Sequence, residues 1–381
     1  MAAIFYAKNL AIIFRKLYNL IENVPGSVFK KCIRVINLDA ESKITIKDIA
    51  KKAGVSVSTV SRVLNEKPDV NENTRAEVLR VIDDFNYRPN NVARSLVLEQ
   101  THSIGLVVPD INNPFFPEVA RGVEDKAQEY GYSVIFSSTD NQVEREKKRI
   151  ELMQQKQVDG MILSLSMKNL EVLHDMKKAN FPVVQLDRNI PQSKFPAVMV
   201  GNKKSAIKAT KHLLSLSYTR IAHISGSLST YPGLKRRDGF ITALDEYDIE
   251  VPSAYFKEGN FSQKSGYLKM KELLNLYDPP EAVFAANDLM ALGAYQACNE
   301  AGVNIPEDIA IVGHDNIQVA ELVAPPLTTM AQPKYSLGKL ACQKLLDMIN
   351  YRKEHEELDL SQFTDKEILD TELIERSSTR R

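Results

Sequence analysis

The sequence predicts a small all-α helix-turn-helix unit followed by an α/β core of two doubly wound parallel-sheet subdomains. Three observations predict it. Residues 43–88 hold short, capped segments whose apolar residues recur at helical spacing. From residue 103 onward, apolar runs of strand length alternate with amphipathic helices, which is the pattern of parallel sheets covered by helices. The alternation breaks near residues 200–218, and the runs are too many for one core, so two similar subdomains are expected.

In the first unit, Thr45 is placed to cap a helix over Ile46–Ala53 that stops at Gly54. Ser56 is placed to cap a second helix, Val57–Asn65, with Val57, Val60, Val63 and Leu64 on one face. Its other face is Ser58, Thr59, Ser61 and Arg62. Serine, threonine and valine are mediocre helix formers, so propensity did not select them. A third helix is expected over Thr74–Asn86, capped by Asn73, with Val78, Ile82 and Phe85 inward. The tight join at Ala53–Val55 makes the first pair a helix-turn-helix.

In the α/β region the expected strands are Ser103–Pro109, Ser133–Ser137, Asp159–Leu165, Pro182–Leu186, Ala197–Val200, Arg220–Ser225, Ala282–Ala286 and Ile309–Gly313. Helices are expected between them, for example Pro117–Tyr130 and Leu289–Ala301. In open α/β sheets ligands sit beyond the carboxyl ends of the strands. The residues at those places here are polar: Asp110, Asn112 and Asn113; Ser138 and Asp140; Asp187 and Arg188; Asn287 and Asp288; His314 and Asp315. Asn and Asp also cap helices and fill turns, so one such residue alone says little. As a set beside Phe115 and Phe116 they suit a hydroxyl-rich ligand, with amides and carboxylates on its hydroxyls and rings on its apolar face.

Composition narrows the class. The 381 residues carry 49 basic and 49 acidic side chains, so any nucleic-acid footprint must be local. Lys43, Lys47, Lys51, Lys52 and Arg62 supply one. Cys32, Cys298 and Cys342 are odd in number, far apart and without metal-ligand spacing, which fits a reducing compartment and buried free thiols for the last two. No apolar run is long enough to span a bilayer, and no secretory signal is read at the N-terminus, so a cytoplasmic protein is expected. No Walker loop, nucleophile elbow, G-x-G-x-x-G or metal-spaced His/Cys set occurs. Hence no enzyme, cofactor or metal is expected.

A major groove of DNA admits one helix, and small hydroxyls let its backbone come close while an arginine reaches a guanine. With TIKDIAKKAGVSVSTVSRVLN, the pair Thr74-Arg75, YRPNNVARSL, PDINNPFF, NDLMALGA and LTTMAQP, the chain resembles the lactose/galactose-repressor family of bacterial transcription regulators. The resemblance runs from about Ile44 to the C-terminus, and VVQLDR is similar to ribose-type members.

The resemblance implies a helix-turn-helix DNA-binding domain (43–88), a hinge helix (89–102) and a periplasmic-binding-protein-like effector core (103–381). The core would comprise an N-subdomain of about 103–201 with a late crossover and a C-subdomain of about 202–328. It implies operator contacts from Thr45, Lys47, Val57, Ser58, Thr59, Ser61 and Arg62. The hinge would add Asn91, Ala93, Arg94 and Leu96, the last prying open a base step from the minor groove. It implies an effector site of Asn113, Phe115, Phe116, Asp187, Arg188, Phe261, Asn287, Asp315 and Gln332. Two departures are noted. The family arginine is expected six residues ahead of Phe240, where Leu234 stands; Arg236 falls about 200° round the helix from there and is not expected to replace it. His314 stands where an aromatic is usual and is expected to make the pocket more polar.

The reading is a homodimeric regulator of palindromic operator DNA, a repressor controlled by a sugar or sugar phosphate. The dimer is expected because no leucine heptad tail is read before Arg381. The alternative is a global carbon-catabolite regulator with a serine-phosphorylated phosphocarrier protein as corepressor. That branch uses arginines just past residue 316, where this chain reads NIQVAELVAPPL. Residues 1–42 read as an extension, expected to be an artefact of an upstream Met over 1 to about 40 with translation beginning at a non-standard start such as Val35 or Leu38; the alternative is an amphipathic arm that touches DNA or membrane.

Overall fold

The computed structural model describes residues 44–64, 67–87, 100–355, 357–363 and 365–380. The chain forms two compact units, and each is described by itself.

The first unit holds helices α1 (Ile46–Lys52), α2 (Val57–Leu64) and α3 (Glu72–Asp84). The Asp48 carboxylate accepts from the Thr45 amide at 2.9 Å and the Thr45 hydroxyl at 2.7 Å, closing the first turn of α1. Ser56 Oγ accepts from the Thr59 amide at 3.1 Å and so caps α2. Between them Gly54 has φ +68° with open space around its α-carbon, so backbone conformation rather than crowding calls for glycine. Ile49, Ala50, Val60, Val63, Val78 and Val81 form the core. The cap of α3 differs from expectation. Asn71 Oδ1 accepts from the Asn73 amide at 2.8 Å, so Asn71 is the cap and Asn73 lies inside the first turn. Val81 is buried, and Ile82 packs partly buried against the same core. Phe85, at the C-cap, is 37% exposed, with the Lys52 ammonium 5.2 Å from its ring centre.

The second unit has two six-stranded sheets. The N-lobe sheet contains β1 (Ser103–Val108), β2 (Ser133–Ser138), β3 (Gly160–Leu163), β4 (Val183–Leu186), β5 (Ala197–Val200) and β11 (Lys366–Leu369), in the order β11-β5-β4-β3-β1-β2 and all parallel. The C-lobe sheet contains β6 (Ile221–Ser225), β7 (Phe256–Glu258), β8 (Ala282–Ala285), β9 (Ala310–Asp315), β10 (Thr328–Ala331) and β12 (Glu372–Ile374), in the order β12-β10-β9-β8-β6-β7. Among the described residues its β10–β12 pairing is antiparallel and the others are parallel.

The helices are α4 (Phe115–Glu129), α5 (Val143–Gln155), α6 (Leu170–Lys178), α7 (Asn202–Ser215), α8 (Tyr231–Asp245), α9 (Gln263–Leu274), α10 (Asp288–Ala301) and α11 (Lys334–His355). The chain crosses between lobes after β5, after β10 and between β11 and β12. Leu337, Ala341, Cys342, Leu345 and Leu346 of α11 sit in the N-lobe core with Ile104, Leu106 and Val183. Thus α11 returns the chain to the first lobe. Strands β3, β4, β5 and β8 are buried along their whole length, which explains their unbroken apolar sequences. Burial pushes the Cys298 and Cys342 thiols up to about 12, as befits buried, unreactive sulfhydryls. Among the described residues no helix is long and apolar enough to cross a membrane.

Candidate functional site

In the helical unit, Lys47, Ser58 and Arg62 are exposed and Val57 is 40% exposed, an apolar side chain left uncovered. Thr45 is exposed, while Thr59 and Ser61 are half-buried. Ser56 Oγ lies 2.6 Å from Ser58 Oγ and 2.8 Å from Thr59 Oγ1, so the start of α2 presents a cluster of linked hydroxyls. Arg62 Nη1 is 3.1 Å from Asp69 Oδ2, with both groups more than half exposed. This pair contributes little to stability, so the guanidinium stays available to an outside acceptor. The expected hinge contacts Asn91, Ala93, Arg94 and Leu96 lie outside the described residues.

In the α/β unit a cleft opens between the lobes. Every expected effector residue lines it: Asn113, Phe115, Phe116, Asp187, Arg188, Phe261, Asn287, Asp315 and Gln332. The N-lobe supplies the first five, from the start of α4 and the turn after β4. The C-lobe supplies the rest from the end of β9 and the turns after β7, β8 and β10. Asn112, Ser138 and Asp140 are outside the lining, and Asp140 instead pairs with Arg145.

Arg236 also lines the cleft, contrary to expectation. It lies four residues, about one turn, before Phe240, and the buried positions of α8 include Pro232, Gly233, Arg236, Gly239 and Phe240. One face therefore carries both side chains inward. Arg236 Nε donates to Asn202 Oδ1 at 2.8 Å and Nη1 donates to the Ala286 carbonyl at 2.6 Å. Nη1 also lies 3.6 Å from Asp315 Oδ1. The missing signal was this helical offset, which places the arginine under the ligand site without any help from Leu234.

The carboxylates are held under tension. Burial pushes Asp187 and Asp315 each up to about 6, although Arg236 opposes the shift in both. Behind them Asp288 is pushed to about 7 by burial and by Asp315; it accepts from Thr329 Oγ1 at 2.6 Å and the Ile317 amide at 2.9 Å. Burial lowers the affinity of Arg188 and Arg236 for their protons, and the facing carboxylates offset this. Asp187, Phe261 and Asp315 have φ of 60°, 68° and 122°. Such backbone at a ligand cleft holds side chains where relaxed geometry would not.

The remaining lining is similarly fixed. Arg188 Nη2 donates to Asn141 Oδ1 at 2.8 Å. Asn113 Oδ1 accepts from the Phe115 amide at 3.0 Å. Asn287 Oδ1 accepts from the Met290 amide at 3.0 Å, and its Nδ2 donates to the Phe261 carbonyl at 3.0 Å. Asn287 therefore caps α10 and Asn113 closes the turn ahead of α4, and both line the cleft at once. Phe115 and Phe116 meet edge to face, with ring centres 5.0 Å apart. The Phe261 ring lies directly on Gly226, where any side chain would occupy the same space. Gln332 Nε2 donates to Asp315 Oδ1 at 2.6 Å; its Oε1 is buried with no partner among the described residues.

His314 is a second correction. It is fully buried and outside the lining, behind the Asp315 and Gln332 side chains that face the cleft. Its Nε2 lies 2.7 Å from Ser205 Oγ and its Nδ1 3.2 Å from Asp315 Oδ1. Burial holds its pKa well below the ordinary histidine value. It supports Asp315 from behind as a neutral ring.

Residues 45–90 match the model of "Bacterial regulatory proteins, lacI family", and residues 101–367 match that of "Periplasmic binding proteins and sugar binding domain of LacI family". The ribose operon repressor of Halalkalibacterium halodurans is 38% identical over 338 residues, covering 88% of this chain and 97% of that one. Catabolite control protein A of Priestia megaterium is 36% identical over 308 residues, covering 81% and 93%. Among solved structures, the lac repressor dimer bound to operator and the anti-inducer ONPF superposes with a TM-score of 0.78 at 28% identity, covering 89% of this chain and 99% of that one. A regulator of the same family from Enterococcus faecium with bound ribose gives 0.62 at 32% identity, covering 73% and 98%. With a helix-turn-helix unit matched in front and a polar inter-lobe cleft matched behind, the chain belongs to the lacI family of bacterial regulatory proteins, DNA-binding regulators of transcription.

Proposed function

We propose that this regulator binds a sugar-like polyol in the cleft and that binding changes its affinity for a palindromic operator. One observation carries the reading: buried carboxylates from opposite lobes, Asp187 and Asp315, open onto one cleft with Arg188, Arg236 and aromatic rings around them. Sugar hydroxyls donate to the carboxylates and to Gln332 Oε1, and accept from the two guanidinium groups. Phe115, Phe116 and Phe261 cover the apolar sugar face. A ligand bonded to both lobes favours one orientation of them. It shifts that balance only by its difference in affinity for the two orientations. In a dimer, lobe orientation sets the spacing of the two DNA-binding units and hence their joint fit to the half-sites.

At the operator, α2 is the groove helix, with Val57, Ser58 and Arg62 on base edges and Thr45, Lys47, Thr59 and Ser61 on the backbone. An uncovered Val57 fits a thymine methyl, and Arg62 can exchange Asp69 for a guanine edge. Thermal-shift measurement with pentoses, hexoses, their phosphates and purines tests the ligand. A rise with an unphosphorylated pentose such as D-ribose, named for the Enterococcus relative, supports the reading. A rise only with serine-phosphorylated phosphocarrier protein would favour the corepressor alternative instead.

A further inference from the structure

We propose that Lys334 is a positioning residue that joins the ligand turn of one lobe to the first helix of the other, so that the cleft cannot reorient without disturbing its ammonium. This rests on the reading of the cleft as the ligand site. Lys334 is the first residue of α11, immediately past the second crossover, and is 6% exposed. It is not part of the cleft lining. Its Nζ donates to the carbonyls of Asp315 at 3.1 Å and Asn316 at 2.6 Å, both in the C-lobe. It also pairs with Glu118 Oε1 at 3.2 Å, on N-lobe α4.

Each contact has a reason. Asp315 and Asn316 have successive positive φ values, 122° and 52°, and such a turn aims its carbonyls together. A buried ammonium offers three donors and suits that concentration of negative dipole. Glu118 lies in the first turn of α4, whose opening residues Phe115 and Phe116 line the cleft. Lys334 therefore touches the backbone that aims the Asp315 carboxylate and the helix that carries the rings. Glu118 is half-exposed, so its arm of the link is the one that salt can screen. Moving the lobes apart must strip Lys334 of acceptors on one side, which is costly for a buried cation.

The test uses full-length protein with a Cys32→Ser background and spin labels at Lys148→Cys on α5 and Lys264→Cys on α9, both exposed positions of opposite lobes. Without ligand, the wild-type background should give a narrow inter-lobe distance distribution that broadens at high salt. Glu118→Gln should be broad already and insensitive to salt. Lys334→Gln should also be broad, and should raise hydrogen exchange at the Asn316 and Ile317 amides about tenfold, an effect Glu118→Gln should lack. With D-ribose as probe, both variants should show a smaller difference than wild type between ligand affinity with and without operator. An unchanged distance distribution in Glu118→Gln, or unchanged exchange in Lys334→Gln, overturns the proposal. Failure of D-ribose to bind wild type would instead count against the ligand reading, while the ligand-free measurements still decide the role of Lys334.

Discussion

Arg236 Nη1 lies 3.6 Å from Asp315 Oδ1, and both side chains are almost wholly out of water. The pair is held further by Asn202 and the Ala286 carbonyl on one side and by Gln332 on the other. The cleft is therefore wired before any ligand arrives, and its charges are balanced by neighbours rather than by solvent.

Arg236→Ala leaves the Asn202 amide oxygen and the Ala286 carbonyl without their donor and the buried Asp315 carboxylate without its cation. It should lower the stability of the α/β unit by about 3–5 kcal/mol, the cost of stripping one partner from a buried pair. Urea unfolding measures it, and a loss under about 1 kcal/mol would mean that water replaces the guanidinium.

Asp187 supplies a pH prediction with a definite sign. Its folded pKa, about 6, is above its ordinary 3.8, so the folded state binds the proton more tightly than the unfolded one. This group's contribution to stability is greatest below about pH 4 and is lost as pH rises through about 6. Asp187→Asn removes that burden and tolerates the left-handed backbone there. The variant should exceed wild type by up to about 3 kcal/mol at pH 7, with the difference fading towards pH 4. A pH-independent difference in melting temperature would assign the gain to something other than ionisation.

Polyol hydroxyls donate best to ionised carboxylates; burial raises Asp187 to about 6 and raises Asp315 above the ordinary carboxylate range. Ligand binding near pH 6 should therefore release protons and weaken as pH falls to 5. Calorimetry in two buffers of different ionisation enthalpy reads the release directly; identical heats in both would remove the carboxylates from the binding equilibrium.

At the operator the exposed basic residues should separate by role. Arg62→Ala should cost about 1–3 kcal/mol on the matched sequence and relax preference at one symmetric base position. Lys47→Ala should weaken binding to all sequences alike and flatten the salt dependence. Indistinguishable behaviour across a panel of operator variants would contradict this division.

Continuous burial made several strands legible in the sequence, and the apolar stretch Val134–Phe136 made the half-buried edge strand β2 legible as well. β3, β4, β5 and β8 are buried throughout, and each was visible as an apolar run. β7, β11 and β12 were missed because they are short edges with half-wet faces; Lys366–Leu369 is mostly exposed. β10 was missed for another reason: Thr328 and Thr329 are buried with hydroxyls bonded to Arg376, Thr379 and Asp288, so its interior position carries no apolar signature. At the cleft, residues ending strands could be read from position alone. Arg236 could not be read that way, since it arrives from the middle of a helix. His314 sits behind Asp315 with its ring nitrogens engaged by Ser205 and the Asp315 carboxylate, contacts that position in the sequence does not reveal.

The central claim is that a ligand in this cleft controls DNA binding through Asp315. Asp315→Asn keeps an acceptor for Gln332 but loses the charge that hydroxyl donors and Arg236 require. The direct measurement is fluorescence anisotropy of labelled operator, with D-ribose titrated into the preformed complexes of wild type and this variant. The account predicts equal operator affinity without ligand, a ligand-dependent change in wild type, and a response in Asp315→Asn shifted at least about tenfold to higher concentration. A wild-type response curve from Asp315→Asn would place the controlling site elsewhere and contradict the account.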